Sequence, residues 1–176
     1  MHIQLVVIDF FYLCSTFITC FPNALGYPQF YQNILPLAVE AINTRYYKET
    51  LSVLNFWNFI FELHGEWSPD LIAFLQPILP AILGNLLSGC LRRFESETMD
   101  YACKIILLAF ETAREETLFT IQQYIASLPE DRFSVSEKSQ HGGRILDSLR
   151  GGAFKAFRRD LSSLAALSRR RLNSHQ

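Results

Sequence analysis

The chain has 176 residues, 49% of them apolar and 14% aromatic, with a net charge of −1. That is enough apolar material for one domain-sized core or one stack of repeats, and it excludes a disordered tail, a collagen-like chain and a low-complexity segment. The small net charge also excludes a global field that would steer the chain to nucleic acid. The charge is nevertheless uneven: residues 1–143 carry 8 Lys/Arg against 15 Asp/Glu, a net of −7, and residues 144–176 carry 8 against 2, a net of +6.

Helical periodicity runs through almost the whole chain. Residues 3–21 read as a first helix stopped by Pro22, and residues 28–43 as a second with Phe30, Ile34, Leu37, Ala38 and Ala41 on one stripe. A very apolar third helix covers 47–64 and ends near Gly65. Ser68-Pro69-Asp70 is a start signal, with a hydroxyl at the N-cap, Pro at the first helical position and then an acid. It opens a fourth helix reaching about Phe94, with kinks expected at Pro77 and Pro80. A fifth helix covers 97–112 and a sixth 114–127, ended by Pro129. Ser134-Val135-Ser136-Glu137 has the spacing of a capping box and opens a further helix. Gly142-Gly143 should weaken it by about 1 kcal/mol per glycine relative to Ala. Gly151-Gly152 separates it from a last helix at 153–171, striped by Phe154, Phe157, Leu161, Leu164 and Leu167.

These helices pair with a period of about 40–50 residues, the period of HEAT and armadillo arrays. The expected fold is therefore all-α: a HEAT/armadillo-type α-solenoid of antiparallel helix pairs. Residues 1–133 supply about three helix pairs, and residues 134–176 a C-terminal pair with a basic tail. Terminal repeats of a solenoid usually turn a polar face to water, yet the first helix is nearly all apolar from Leu5 to Phe21. Another repeat is expected before it, which makes the chain a C-terminal piece of a longer array or a truncated product.

Residues 10–39 and 71–91 hold no charge and meet the length test for a spanning helix. Pro22, Asn23, Gly26 and Pro28 cut the first, and Pro77, Pro80, Gly84 and Gly89 interrupt the second. Asp9 falls where a signal peptide needs its apolar core. Buried helices, without membrane insertion, are the expectation. Cys14, Cys20, Cys90 and Cys103 sit in apolar runs without a C-x-x-C pair, and read as buried free thiols.

No phosphate-loop, dinucleotide-binding, nucleophile-elbow or zinc-helix motif occurs. The four histidines are scattered, and Glu111, Glu115 and Glu116 read as solvated acids at a helix junction. No catalytic, cofactor-binding or metal-binding residue is assigned, and the chain is not read as an enzyme. The candidate partner-binding residues are Arg158, Arg159, Arg169, Arg170 and Arg171. Their cations suit either a helix C-terminus or acidic and phosphorylated partners.

The C-terminal third has a recognisable order: Leu118, Phe119 and Ile121 on an apolar helix, Leu128-Pro129, then Phe133-Ser134-x-Ser136-Glu137-Lys138, Ile145-Leu146, and a closing helix with Leu-x-x-Leu-Ser-Arg from Leu164 to Arg169. With Leu13–Phe21, Ile34-Leu35-Pro36-Leu37-Ala38 and Thr50–Leu63 before it, this resembles the end of the importin-β (karyopherin-β) nuclear transport receptors, in the transportin-SR / importin-thirteen branch. The resemblance covers roughly residues 10–170 and departs at His141-Gly142-Gly143, where a continuous apolar helix is expected. It implies a cargo-binding fragment of a nuclear import receptor, present in nucleus and cytoplasm, without direct nucleic-acid binding. Implied partners are protein cargo, such as SR-type or other nuclear proteins, and nucleoporins. Ran-GTP would bind only through upstream repeats missing from this chain. A non-karyopherin helical-repeat scaffold and an integral membrane protein are the alternatives.

Overall fold

The computed structural model of the chain describes residues 2–173, and side chains over residues 6–172. Every regular element among them is a helix: α1 (His2–Cys20), α2 (Pro28–Ala41), α3 (Tyr47–Glu62), α4 (Pro69–Leu75), α5 (Leu79–Arg92), α6 (Ser96–Thr112), α7 (Arg114–Ala126), α8 (Val135–Arg150) and α9 (Phe154–Asn173), with short 3-10 turns at Pro22–Gly26 and His64–Glu66. The all-α expectation holds. The chain forms two compact units, residues 1–85 and 86–176, divided within α5.

In the first unit α3 is the hub. Its Val53, Leu54, Phe56, Trp57, Ile60 and Phe61 are all buried, each worth about 1.5–3 kcal/mol of apolar burial for a large side chain. Helix α1 lies on α3, with Phe11 5.4 Å from Phe56, ring centre to ring centre. Helix α2 packs on α3 and on α4. The Trp57 indole donates to the Ala38 carbonyl at 3.1 Å, and Tyr31 meets Phe74 at 5.1 Å. Tyr31, Leu35 and Ala38 of α2 and Ile42 just after it are buried; of the expected stripe Ala38 is buried, Phe30, Ile34 and Ala41 are partly covered, and Leu37 is exposed. Two apolar stripes one residue apart satisfy the helical period equally well, and the packing against α3 and α4 selects between them.

The Ser68 hydroxyl accepts the Leu71 N–H at 3.2 Å and starts α4 as its sequence dictates. The expected long fourth helix is two helices. Residues 76–78 break it, and α4 and α5 differ in direction by 53°. Pro80 lacks the N–H that would donate to the Gln76 carbonyl, and Pro77 adds the same defect one turn earlier, so the helix ends and restarts.

In the second unit, α6 packs on α7, α7 on α8, α8 on α9 and α9 back on α6. These four helices thus form a ring of neighbours. Ser134 and Glu137 make the capping box of α8, each side chain bonded to the other's backbone N–H. Helix α8 then runs unbroken through Gly142-Gly143. Gly142 is buried against Ile125 of α7, and Gly143 is exposed. Gly152, at φ 65°, makes the turn into α9 that an L side chain resists.

Candidate partner-binding surface

The five candidate arginines lie on α9, whose buried stripe is Phe157, Leu161, Leu164, Ala165 and Ser168. Phe154 and Leu167, expected on that stripe, are only partly covered. The five residues do not form one patch. Three of them are held by their own unit.

Arg158 forms an ion pair with Asp100 of α6, and that hydrogen bond raises the guanidinium pKa further. Arg169 reaches the C-terminal end of α5, where its Nη2 donates to the Cys90 carbonyl at 3.1 Å and to the Phe94 carbonyl. These carbonyls have lost their helical partners, and a cation at a helix C-terminus is favoured by the dipole. The Nε of Arg169 is buried with no partner, as are Asn58 Oδ1 and Thr117 Oγ1.

Arg171 grips Glu137 with both nitrogens, Nη2 to Oε1 at 2.6 Å and Nη1 to Oε2 at 3.1 Å. It also donates to the Arg132 carbonyl and sits over the Phe133 ring at 5.7 Å. The fork-shaped guanidinium suits this two-point contact. Hydrogen bonds from Arg171, then from the Ser134 N–H and the Ser134 hydroxyl, hold the Glu137 carboxyl down at about 2.

Arg159 and Arg170 remain outward. Arg159 contacts only its neighbour Asp160 at 3.0 Å, with its side chain 75% exposed, and Arg170 is exposed in the last turn of α9. Eleven residues separate them, so they share a helix face about 16 Å apart. Lys155, four residues before Arg159, is exposed on the same face. Its i, i+4 spacing to Arg159 is the sequence signal that places it there. The accessible cations of α9 are therefore Lys155, Arg159 and Arg170.

Elsewhere the candidates for chemistry are quiet. Burial pushes the Cys14 thiol up, Cys90 far up, and Cys103 to about 12, so none of these is a thiolate at neutral pH. Cys20, expected to be buried, is exposed at the end of α1. Glu115 and Glu116 occupy the first turn of α7, where the helix dipole favours acids. His175 and the side chain of His2 lie outside the described residues. Between α7 and α8 runs an open groove of about 440 Å³, floored by Ile125, Gly142 and Leu146 and edged by Glu130 and Lys138.

Comparison with protein-family models, curated proteins and solved structures found no match to this chain.

Proposed function

We propose that the chain acts by binding other proteins, without chemistry of its own, as the cargo-binding C-terminal part of a nuclear import receptor of the importin-β class. The observation that carries this reading is the stacking in residues 1–85. There α1 lies on α3 and α2 on α4, the like-on-like order by which successive HEAT pairs build a solenoid. The cationic face of α9 gives such a receptor a contact for acidic or phosphorylated cargo, and the acidic remainder favours basic segments. This reading assigns no Ran-GTP contact to residues 1–176, and the protein would work in both nucleus and cytoplasm.

A second reading is a helical scaffold unrelated to karyopherins. The closed ring of α6–α9 favours it, because a solenoid would place α6 on α8 and α7 on α9. Fold alone does not decide function.

Binding to a phosphorylated serine/arginine-rich peptide, read by fluorescence anisotropy at 0.1 M salt, tests the first reading. Exposed charge pairs contribute about 0.2–1 kcal/mol each. Replacing Lys155, Arg159 and Arg170 by Gln should therefore weaken binding about tenfold and leave helix content unchanged. The phosphopeptide should outcompete its unphosphorylated form, and Ran-GTP should not bind. Undiminished binding by the triple variant overturns the α9 surface. Failure to bind any nuclear cargo peptide leaves the scaffold reading in its place.

A further inference from the structure

We propose that the cavity between the start of α6 and α9 is a binding site for a small phosphorylated molecule, either free phosphate or a phosphate monoester. The inference rests on the second unit alone and stands whether or not the import-receptor reading does.

The cavity has a volume of about 200 Å³. Part of its wall is apolar, made by Phe94, Met99, Ala165 and Ala166, and Arg158 and Arg169 line it as well. These two arginines are eleven residues apart on α9, about 16 Å along the axis. Their side chains converge, because Arg169 is anchored on the Phe94 carbonyl and Arg158 on Asp100. Six residues separate those anchors, about 9 Å at helical rise.

The anchors do not use up either guanidinium. Arg158 donates through Nε alone and Arg169 through Nη2 alone. Both Nη groups of Arg158, the Nη1 group of Arg169 and its buried Nε have no acceptor among the described residues. A buried N–H without an acceptor calls for an explanation, and an anion is one. The Ser96 and Ser162 hydroxyls also face the cavity and make no hydrogen bond to another described residue.

Charge points to an anion. The lining carries two guanidinium groups and one carboxylate, Glu95. That carboxylate accepts the N–H of Thr98 in the capping box of α6, and Asp100 is paired with Arg158. Two cations converging on one small cavity repel each other until an anion lies between them. A phosphoryl group brings nearly two charges and three acceptor oxygens, so it can bridge both guanidiniums at once. A carboxylate has two oxygens, which a single guanidinium fork already matches. The volume is below the roughly 300–1,000 Å³ of a drug-sized ligand's site. It therefore fits the phosphoryl group and a short carbon body against Phe94 and Met99. Glu95 and Glu97, exposed on either side of Ser96, oppose an acidic protein segment laid across the mouth.

Isothermal titration calorimetry of the full chain tests this, with inorganic phosphate and glycerol 3-phosphate as probes, in about 0.1 M sodium chloride to screen non-specific attraction. Saturable one-to-one binding of at least one probe is expected. Inorganic phosphate binding as tightly as the ester, or more tightly, identifies free phosphate as the occupant. Tighter binding of glycerol 3-phosphate identifies a monoester whose carbons use the apolar wall. Arg158→Gln should weaken binding at least tenfold, the loss that one hydrogen bond to a charged group carries. If that variant unfolds through loss of the Asp100 pair, Ser162→Leu decides instead, because it fills the cavity and leaves both arginines in place. The triple Gln variant at Lys155, Arg159 and Arg170 should bind both probes as wild type does, since none of the three lines the cavity. Absence of saturable binding by either probe overturns the proposal, as does undiminished binding by a folded Arg158→Gln or Ser162→Leu protein, or loss of binding in the triple variant. A phosphoserine peptide that binds where both small probes fail assigns the two arginines to a protein partner and equally overturns it.

Discussion

At the scale of single residues, two glycines that look alike in sequence have opposite requirements. Gly89, near the end of α5, lies under the ring of Phe94. The Phe94 N–H returns to the Gly89 carbonyl at 2.7 Å, and a Cβ built on Gly89 would fall 2.2 Å from the ring. Phe94 is itself buried, so its ring has nowhere to retreat. Gly89→Ala should destabilise the protein by about 1–3 kcal/mol, as overpacking does. A Cβ on Gly143, in mid-helix, would meet nothing within 4 Å. Gly143→Ala should stabilise by roughly 0.5–1 kcal/mol, through helix propensity and a less flexible unfolded chain. Paired denaturant titrations read both changes, and equal signs would refute the distinction. The sequence exposes only half of this. Helix propensity makes Gly143 a weak point from composition alone, whereas the need for Gly89 depends on a phenyl ring folding back from five residues away.

At the scale of elements, local signals were legible and long-range partners were not. Four-residue windows contain the Ser68 cap and the Ser134/Glu137 capping box, and both form. By sequence the arginines of α9 form a basic tail, yet Arg169 caps α5 from 79 residues away and Arg171 holds Glu137 from 34. No local pattern encodes such pairs. They give the capping box of α8 a pH dependence with a definite sign. The Glu137 carboxyl is held down at about 2 against an ordinary value of 4.5. Its contribution is present above about pH 4.5 and is lost as the pH falls through that interval towards 2. The melting temperatures of wild type and Glu137→Gln should therefore differ at pH 6 and converge by about pH 2. Other carboxylates titrate in both proteins and cancel in the difference. A gap that stays constant over that range would mean that shape, not charge, holds α8 to α9.

At the scale of the whole molecule, the helical class is legible because periodicity is dense everywhere, while the charge step at residue 143 and the division into compact units fall at different places. The sequence divides −7 from +6 at residue 143. The first compact unit carries 2 Lys/Arg and 6 Asp/Glu, a net of −4, and the second 14 and 11, a net of +3. The partners of the three held arginines, Asp100 for Arg158, Glu137 for Arg171 and the Cys90 and Phe94 carbonyls for Arg169, all belong to that second unit. The first unit has only eight charges in 85 residues, which raises the membrane question again. No single described helix is long and apolar enough to cross a membrane, although the bent pair of α4 and α5 passes by length and composition. Its apolar side chains already have protein neighbours: Ile82, Leu83, Leu86, Leu87 and Cys90 of α5 are buried. A lipid-facing helix needs that surface outward. The break at residues 76–78 would add unpaired backbone groups in hydrocarbon, at several kcal/mol each. Chain expressed in cells should accordingly be released into the supernatant by alkaline carbonate, which strips peripheral proteins and leaves spanning ones behind. Retention in the carbonate-washed pellet would require α5 to turn its buried leucines to lipid, and the packing described for both units would then have to be abandoned.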